Sequence, residues 1–188
     1  MFCHTVFSQK RTFFALKTVE KMRAASCGKK MKRAVSCERS ENMRAVVQRV
    51  KATSLRVNGE LISEIPFGLT VFLGVKVDDV KESADYMAKK IANLRIFEDE
   101  DGKMNRSVLD VGGEVLLVSQ FTLYGDAAKG NRPSFTLAER PERANELYEY
   151  AVKALRGYGV PVKMGVFGED MQISQLNDGP VTILLEKE

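Results

Sequence analysis

Alternating apolar and polar residues predict that the chain from Met43 onward begins with β-strands. Four segments have the length and the β-branched composition of strands: 44–50, 54–57, 60–65 and 69–75. Between the second and the third, Asn58-Gly59 is typical of a two-residue hairpin turn. Residues 69–75 are apolar at nearly every position, which indicates a central strand that is buried on both faces.

Apolar residues spaced three and four apart predict two amphipathic helices. The first covers about 80–96, and the second begins near Pro141 and ends at Gly157. We expect their apolar positions to lie in the core rather than in a ligand site. These positions are Val80, Ala84, Met87, Ile91 and Leu94 in the first helix and Ala144, Leu147, Tyr148, Ala151, Val152 and Leu155 in the second.

Further strands are predicted on either side of the second helix: 114–123, 160–165, 170–176 and 181–186. A turn over Asn177–Pro180 separates the last two. This layout predicts a single mixed α/β domain in which helices cover one face of a curved or doubled sheet. A dinucleotide-binding fold is excluded because no Gly-rich turn joins a first strand to a helix, and the sequence has no Walker-type phosphate loop.

Residues 43–188 contain neither histidine nor cysteine, since His4, Cys3, Cys27 and Cys37 all precede them. This excludes a Ser-His-Asp relay, a Cys-His pair, a thiolate zinc site and a histidine general base from this part of the chain. Catalysis here would have to use backbone amides, hydroxyls, side-chain amides, carboxylates or groups of the substrate. We therefore expect no metal and no cofactor.

The formal net charge of +4 is unevenly distributed along the chain. Residues 1–42 hold ten basic and three acidic residues, whereas residues 43–188 hold 19 basic and 22 acidic residues. We predict a basic, disordered N-terminal extension before a mildly acidic domain. A transit peptide and a nucleic-acid-binding arm are alternatives to an extension upstream of a start at Met43, which we favour.

Two further features of the composition concern the environment of the protein. The three cysteines of the extension, beside a cysteine-free body, argue against a disulfide framework and fit a reducing compartment. No apolar run reaches the roughly 18–20 residues that span a bilayer. We therefore expect no membrane partner.

Two segments depart from the pattern of their surroundings. Ser119–Leu123 introduces hydroxyls and an amide at the end of an apolar strand. Either the strand emerges into solvent there, or these neutral donors hold a carbonyl group and its developing oxyanion. Asn177–Thr182 places a Gly before a Pro at the start of a strand, which is often only a turn. Neither segment alone identifies an enzyme.

Together, and at this spacing, the two segments closely resemble the two motifs of the D-aminoacyl-tRNA deacylase family. The motifs read SQFTL at 119–123 and NDGPVT at 177–182. The resemblance is colinear over residues 43–188 and leaves residues 1–42 outside. It also includes Met43–Val50, Phe72–Val75, Arg95–Phe97, Gly102–Asn105, Arg132–Phe135 and Asp170–Gln172.

The resemblance implies a three-layer β/β/α domain and a cytoplasmic homodimer that acts on tRNA without a cofactor. The implied reaction hydrolyses the ester between tRNA and a D-amino acid, or glycine mischarged on tRNA-Ala, and spares L-aminoacyl-tRNA. Related enzymes that edit L-alanine carry different motifs, so these segments favour the D-specific branch. A non-catalytic RNA-binding module is an alternative, although the acidic body lacks an aromatic-basic recognition motif. A metal-dependent enzyme is disfavoured because ligand clusters are missing.

The resemblance also implies which residues form the site. The Gly179–Pro180 bond would be cis and would enter the active site of the partner subunit, where its main chain holds the α-amino group and excludes L residues. The implied catalytic residues are Ser119, Gln120, Phe121 and Thr122. In their pocket the 2′-hydroxyl of the terminal adenosine would assist attack on the ester. Thr122 as a covalent nucleophile is the alternative, although no residue that would activate it as His does is available.

Three basic residues are candidate contacts to tRNA phosphates: Arg49, Lys129 and Arg132. The first lies in the first predicted strand, and the other two lie in the polar loop 124–134. Each could equally be a solvated surface charge.

Overall fold

The computed structural model describes residues 43–187, so the predicted disordered extension, residues 1–42, lies outside the described residues. The described range contains eight strands, two α-helices and one 3-10 helix. Their bounds are β1 Arg44–Val57, β2 Glu60–Ile65, β3 Gly68–Gly74, α1 Lys81–Ala92, β4 Phe97–Glu98, β5 Met104–Arg106, β6 Glu114–Ser119, the 3-10 helix Phe121–Tyr124, α2 Pro141–Gly157, β7 Val162–Met164 and β8 Met171–Glu186.

The long strand β1 organises the main sheet. Its first half pairs with β3 and its second half pairs with β2, while β8 pairs along its other side; all three pairings are antiparallel. The sheet continues from β3 to β6 and β7 by parallel pairing. Parallel neighbours need a long crossover connection, and α1 and α2 lie in the two crossovers. A separate two-stranded ribbon is formed by β4 and β5.

Two hydrophobic clusters lie on opposite faces of β6, because successive side chains of a strand point to opposite faces. Val115 and Leu117 belong to the larger cluster, which includes the buried residues of both helices. Leu116 and Val118 belong to the second cluster, which β1, β2 and part of β8 complete. The two clusters separate three layers, namely the helices, the middle of the sheet and its folded-over part. The predicted mixed α/β domain with two β layers and one helical layer is therefore confirmed.

Two predicted elements differ from the structure at the motifs. The strand predicted over 114–123 ends at Ser119, and the next residues form the 3-10 helix. The turn predicted over Asn177–Pro180 is wrong, because β8 is continuous through these residues. It accommodates them by two shifts of register against β1. One shift places three extra residues on β8 between Thr182 and Asn177, and the other places one extra residue on β1 between Val50 and Ala52. Bulges of this kind insert residues into a ladder without ending the strand.

The two helices match their predicted apolar faces. α2 has the predicted bounds, with Pro141 in its first turn, whereas α1 ends at Ala92, four residues earlier than predicted. The predicted apolar positions of both helices are buried, except for Val80 and Leu94, which lie just outside α1 and are half-buried. Within residues 43–187 no helix combines the length and the apolar character that crossing a membrane requires.

Candidate active site

A groove of about 620 Å³ lies at the carboxyl end of β6. Ser119, Gln120 and Phe121 line one side, and the start of α2 and the loop between β7 and β8 line the others. The remaining lining residues are Val75, Val118, Phe135, Ala138, Glu139, Pro141, Ala144, Phe167, Gly168, Glu169, Asp170, Met171 and Ile173. Thus three of the four predicted catalytic residues line one groove, and Thr122 follows them directly in the 3-10 helix.

The end of β6 is fixed by the neighbouring strand. Ser119 pairs with Leu73 of β3, and the amide of Gln120 donates a hydrogen bond of 2.8 Å to the Leu73 carbonyl. Gly74 then permits the chain to turn closely over β3. A Cβ at this position would lie 3.0 Å from the Gln120 carbonyl oxygen and 3.0 Å from the Tyr124 ring. The polar residues after the apolar strand therefore leave the sheet in a tightly packed corner.

The 3-10 helix presents two of its residues to solvent. The Phe121 side chain is 56% exposed, and its ring packs edge-to-face on Phe135 with 5.2 Å between centroids. Thr122 is also exposed, and its Oγ1 accepts a hydrogen bond from the Gln120 side-chain amide. In this hydrogen bond the hydroxyl is the acceptor, so the bond does not draw the proton away from Oγ1, as a nucleophilic hydroxyl would need.

The charged residues that line the groove are all acidic: Glu139, Glu169 and Asp170. Glu139 accepts a hydrogen bond of 2.8 Å from the Arg140 amide and lies 3.7 Å from Arg143 Nε. The other two carboxylates are exposed at the rim. The predicted basic residues Lys129 and Arg132 do not line the groove. The groove is lined by neutral hydrogen-bond donors and aromatic rings, and its rim is acidic.

Two tyrosines beneath this corner hold carbonyl groups. The Tyr124 hydroxyl lies 3.4 Å from the Gly74 carbonyl and the Tyr148 hydroxyl lies 2.7 Å from the Leu117 carbonyl, each as a donor. Burial raises the pKa of Tyr124 well above its usual value and raises the pKa of Tyr148 to about 12. Both hydroxyls therefore stay protonated at neutral pH and act as structural donors, not as bases.

The structure does not bring Gly179 and Pro180 to the groove of the same chain. They lie on the exposed side of β8, close to Arg49 of β1, and the bond between them is cis. Between Gly179 on β8 and Ser119 on β6 lie the strands β1 and β3. At ordinary strand spacings the two residues are about 14 Å apart across the strands and roughly 13 Å apart along them. The two motifs are thus separate surfaces of one chain.

The sequence interpretations of Arg49, as a tRNA contact or a solvated surface charge, do not describe its place in the structure. Arg49 is only 5% exposed. Its Nη1 donates a hydrogen bond of 2.7 Å to the Ile96 carbonyl, and its Nε lies 2.9 Å from the Asp178 carboxylate. Lys51 Nζ lies 3.4 Å from the same carboxylate. Arg49 therefore holds Asp178, the residue that precedes Gly179. This role can be predicted only when the pairing of β1 with β8 is known.

Lys129 and Arg132 are exposed in a small loop. The loop is closed by two hydrogen bonds of 2.8 Å between the backbones of Asp126 and Ser134. It leads through Phe135 to the groove wall. The two cations are thus available to an anion that extends beyond the groove, which is where the sequence interpretation would place tRNA phosphates.

Comparisons with known proteins match the described domain nearly from end to end. The family model described as D-Tyr-tRNA(Tyr) deacylase matches residues 46–186. A D-aminoacyl-tRNA deacylase of Syntrophomonas wolfei is 60% identical over 146 residues, 78% of this chain and 98% of the relative. One of Bacillus cytotoxicus is 53% identical over 144 residues, 77% of this chain and 99% of the relative.

Two solved structures share the fold. One, described as c-Myc DNA Unwinding Element Binding Protein, superposes with a TM-score of 0.72 and 46% identity over 77% of this chain and 99% of that chain. The other, a probable eukaryotic D-amino acid tRNA deacylase, has a TM-score of 0.68 and 18% identity over 77% and 99%. At that identity the second likeness concerns the fold alone.

Proposed function

We propose that this chain, which belongs to the D-Tyr-tRNA(Tyr) deacylase family, is an editing hydrolase that cleaves the ester of D-aminoacyl-tRNA. The products are the free D-amino acid and tRNA. The observation that carries the proposal is the family match over residues 46–186, within which Ser119, Gln120 and Phe121 line one groove. The groove offers neutral donors and aromatic rings, which suit an ester joined to a nucleoside.

The ester carbonyl binds at the end of β6. The Ser119 hydroxyl and the side-chain amide of Gln120 are neutral hydrogen-bond donors. Such donors stabilise the oxyanion that forms when water attacks a carbonyl. The 2′-hydroxyl of the terminal adenosine assists that attack. Support for this comes from the Thr122 hydroxyl, which accepts a hydrogen bond from Gln120 instead of donating its proton to a base there. The ester C–O bond then breaks, and the terminal ribose recovers its hydroxyl. Thr122 orients the Gln120 amide through their hydrogen bond.

The aromatic residues hold the terminal adenosine. Phe121 and Phe135 form an edge-to-face pair at one wall, and Phe167 lines the groove as well. Stacking of a base on an aromatic side chain contributes about 1–3 kcal/mol. The exposed loop with Lys129 and Arg132 lies beyond Phe135 and contacts the phosphates that precede this nucleotide.

Discrimination against L-amino acids comes from Gly179 and Pro180 of a second copy of the chain. Support for this comes from their exposure on β8 and from their distance from the groove of their own chain. The main chain of this pair faces the α-carbon of the substrate and leaves no space for an L side chain. Glycine has no side chain to exclude, so glycine mischarged on tRNA-Ala is also hydrolysed. The homodimer acts in the cytoplasm, where tRNA is charged.

The decisive experiment compares hydrolysis of D-tyrosyl-tRNA and L-tyrosyl-tRNA by the full chain. We expect rapid loss of the D ester and an L ester that decays as it does without protein. Glycyl-tRNA-Ala, tested in the same way, should be hydrolysed. Loss of both tyrosyl esters at equal rates would contradict the selectivity, and binding of tRNA without loss of either would instead indicate a binding module.

A further inference from the structure

The side chain of Arg44, the first residue of β1, contacts two other parts of the chain, the 3-10 helix and the end of β8. Its Nη1 donates a hydrogen bond of 3.2 Å to the Leu123 carbonyl. Its guanidinium carbon lies 5.1 Å from the centroid of the Tyr124 ring. Its Nε lies 2.7 Å from a carboxylate oxygen of Glu186, the last residue of β8. One side chain therefore joins the start of β1, the 3-10 helix and the end of β8.

The backbone opposite Arg44 supports the same helix. Gly74 of β3 pairs with Arg44 in the β1–β3 ladder. The Tyr124 side chain is buried, and its hydroxyl donates to the Gly74 carbonyl. Tyr124 thus contacts both members of this pair, the backbone of one and the guanidinium of the other. The position of the helix depends on both contacts.

We propose that Arg44 is a positioning residue for the deacylation site. It fixes the 3-10 helix through the Leu123 carbonyl and the Tyr124 ring, and it thereby sets the position of Phe121 and Thr122 at the groove. The inference rests on the proposed function, because that function assigns those two residues their roles. Arg44 does not line the groove, so it acts through the helix and not on the substrate.

The chemistry of these contacts requires arginine. The last carbonyl groups of a helix receive no hydrogen bond from within the helix, and a cation near them is favourable. A planar guanidinium can donate from Nη1 to the Leu123 carbonyl while its charge lies beside both the Glu186 carboxylate and the Tyr124 ring, whereas the ammonium of lysine is a single compact charge. Lysine would therefore retain the attraction to Glu186 and lose the combined geometry.

The expected effect falls on the chemical step. A displacement of about 1 Å in a catalytic group can cost roughly 100-fold in rate. For Arg44→Met we expect kcat for D-tyrosyl-tRNA to fall roughly ten- to hundred-fold, with KM changed by no more than about twofold. Arg44→Lys should recover part of the loss. Glu186→Gln removes one of the three contacts and should lower kcat by a smaller factor, which provides a test if Arg44→Met does not fold.

The experiment measures kcat, KM, thermal unfolding and amide hydrogen exchange of residues 120–125 in the full chain. Arg56→Met is the matched control, because Arg56 also lies on β1 and donates to the Gly59 carbonyl at the hairpin, away from the groove. We expect faster exchange at residues 120–125 in Arg44→Met and unchanged exchange in Arg56→Met. The Gly125 amide, which donates to the Thr122 carbonyl, reports on the helix directly.

Two results would overturn the inference. One is a loss of activity in Arg44→Met that matches its loss of folded protein, with kcat per folded molecule unchanged. The other is unchanged exchange at residues 120–125 in both Arg44 variants. If the unsubstituted chain does not hydrolyse the D ester, the proposed function fails, and the exchange measurement still decides whether Arg44 fixes the helix.

Discussion

The corner at Ser119–Tyr124 and the bulged segment Asn177–Pro180 are both departures from regular strand structure, but their surroundings differ. The corner is packed over Gly74, anchored to β3 and open to a groove of about 620 Å³. The bulged segment lies on β8, whose only partner in the described sheet is β1, and none of its residues lines that groove.

This difference separates two requirements of a stereoselective hydrolase. The corner has the donors and the cavity that an ester needs, all within one chain. The bulged segment has an exposed main chain that is held from behind by Arg49 and Lys51 through Asp178. Because Gly179 and Pro180 are exposed, this main chain is accessible to another molecule. Substitutions in the two regions should accordingly have different signatures.

The largest effect is expected for Gly179→Ala. Gly179 has φ +122°, and a Cβ there would lie 2.8 Å from both the amide nitrogen and the Cγ2 of Val181, so the main chain must move. If this main chain forms the wall that selects the D substrate, kcat/KM for D-tyrosyl-tRNA should fall roughly 100-fold. The measurement is steady-state deacylation of the D and L esters by the full chain.

Gly159→Ala is the control for this substitution. Gly159 follows α2, also has a positive φ of +86°, and has open space where the Cβ would lie. It should lose about 1 kcal/mol of stability from the unfavourable backbone conformation and keep its activity. Equal losses of activity in the two variants would show that the bulged segment has no special role.

The second-largest effect is expected for Arg49→Met, a loss of folding stability, because this substitution removes the buried partner of Asp178. Breaking a buried ion pair by removing one partner costs about 3–5 kcal/mol; because Asp178 is partly exposed and keeps Lys51, we expect about 2–3 kcal/mol. Urea unfolding of the full chain measures this as a lower midpoint at constant m value. A midpoint equal to that of Arg56→Met would refute the anchoring role.

Apolar periodicity and turn sequence predicted most of the fold. β6 lies within the predicted strand 114–123, and α2 ends at the predicted glycine. The predicted strand 114–123 failed because the residues at its end, Phe121 and Leu123, still alternate with polar ones. The 3-10 helix forms there because Gly74, in a strand some 45 positions earlier in the sequence, lets Gln120 and Tyr124 approach its backbone closely. Local periodicity cannot report such a long-range contact.

The site was also predicted only in part, because local sequence does not report which distant segments come together. Ser119, Gln120 and Phe121 were singled out by their motif and they line the groove. The acidic residues and the aromatic wall of the groove were missed, because the segment with Phe135 and Glu139 and the segment with Phe167 and Asp170 are brought to Ser119 only by the fold. The burial of Arg49 was not predicted, because a basic residue in a strand is expected to be exposed until its partners, Ile96 and Asp178, are known.

A smaller effect is expected for Tyr148→Phe, which tests the packing beneath the corner. The Leu117 carbonyl keeps a hydrogen bond from the Gly165 amide, so loss of the Tyr148 donor should cost only about 1 kcal/mol at pH 7. The pKa of Tyr148 is raised to about 12, above its unfolded value of 10.0. Between those values the unfolded chain binds fewer protons, so stability falls as pH rises.

The pH dependence distinguishes Tyr148→Phe from a simple packing defect. Unfolding measured from pH 7 to pH 12 should show a shallower alkaline decline in the variant, because one buried hydroxyl no longer resists ionisation. The difference in stability between the two proteins should therefore narrow above pH 10. Parallel curves over the whole range would indicate that the Tyr148 hydroxyl is not protected from ionisation in the folded protein.

The smallest effect is expected for Arg132→Ala, which changes neither region but tests how tRNA reaches the corner. Arg132 is exposed in the loop closed by Asp126 and Ser134, so its removal should leave stability and the D-to-L ratio unchanged. If it contacts one phosphate of the single-stranded 3′ end, the slope of log affinity against log salt should become shallower by about 0.7. Lys153→Ala, an exposed lysine of α2, is the matched control. Equal slopes for the two variants would remove Arg132 from the tRNA surface and leave Lys129 as the loop's candidate phosphate contact.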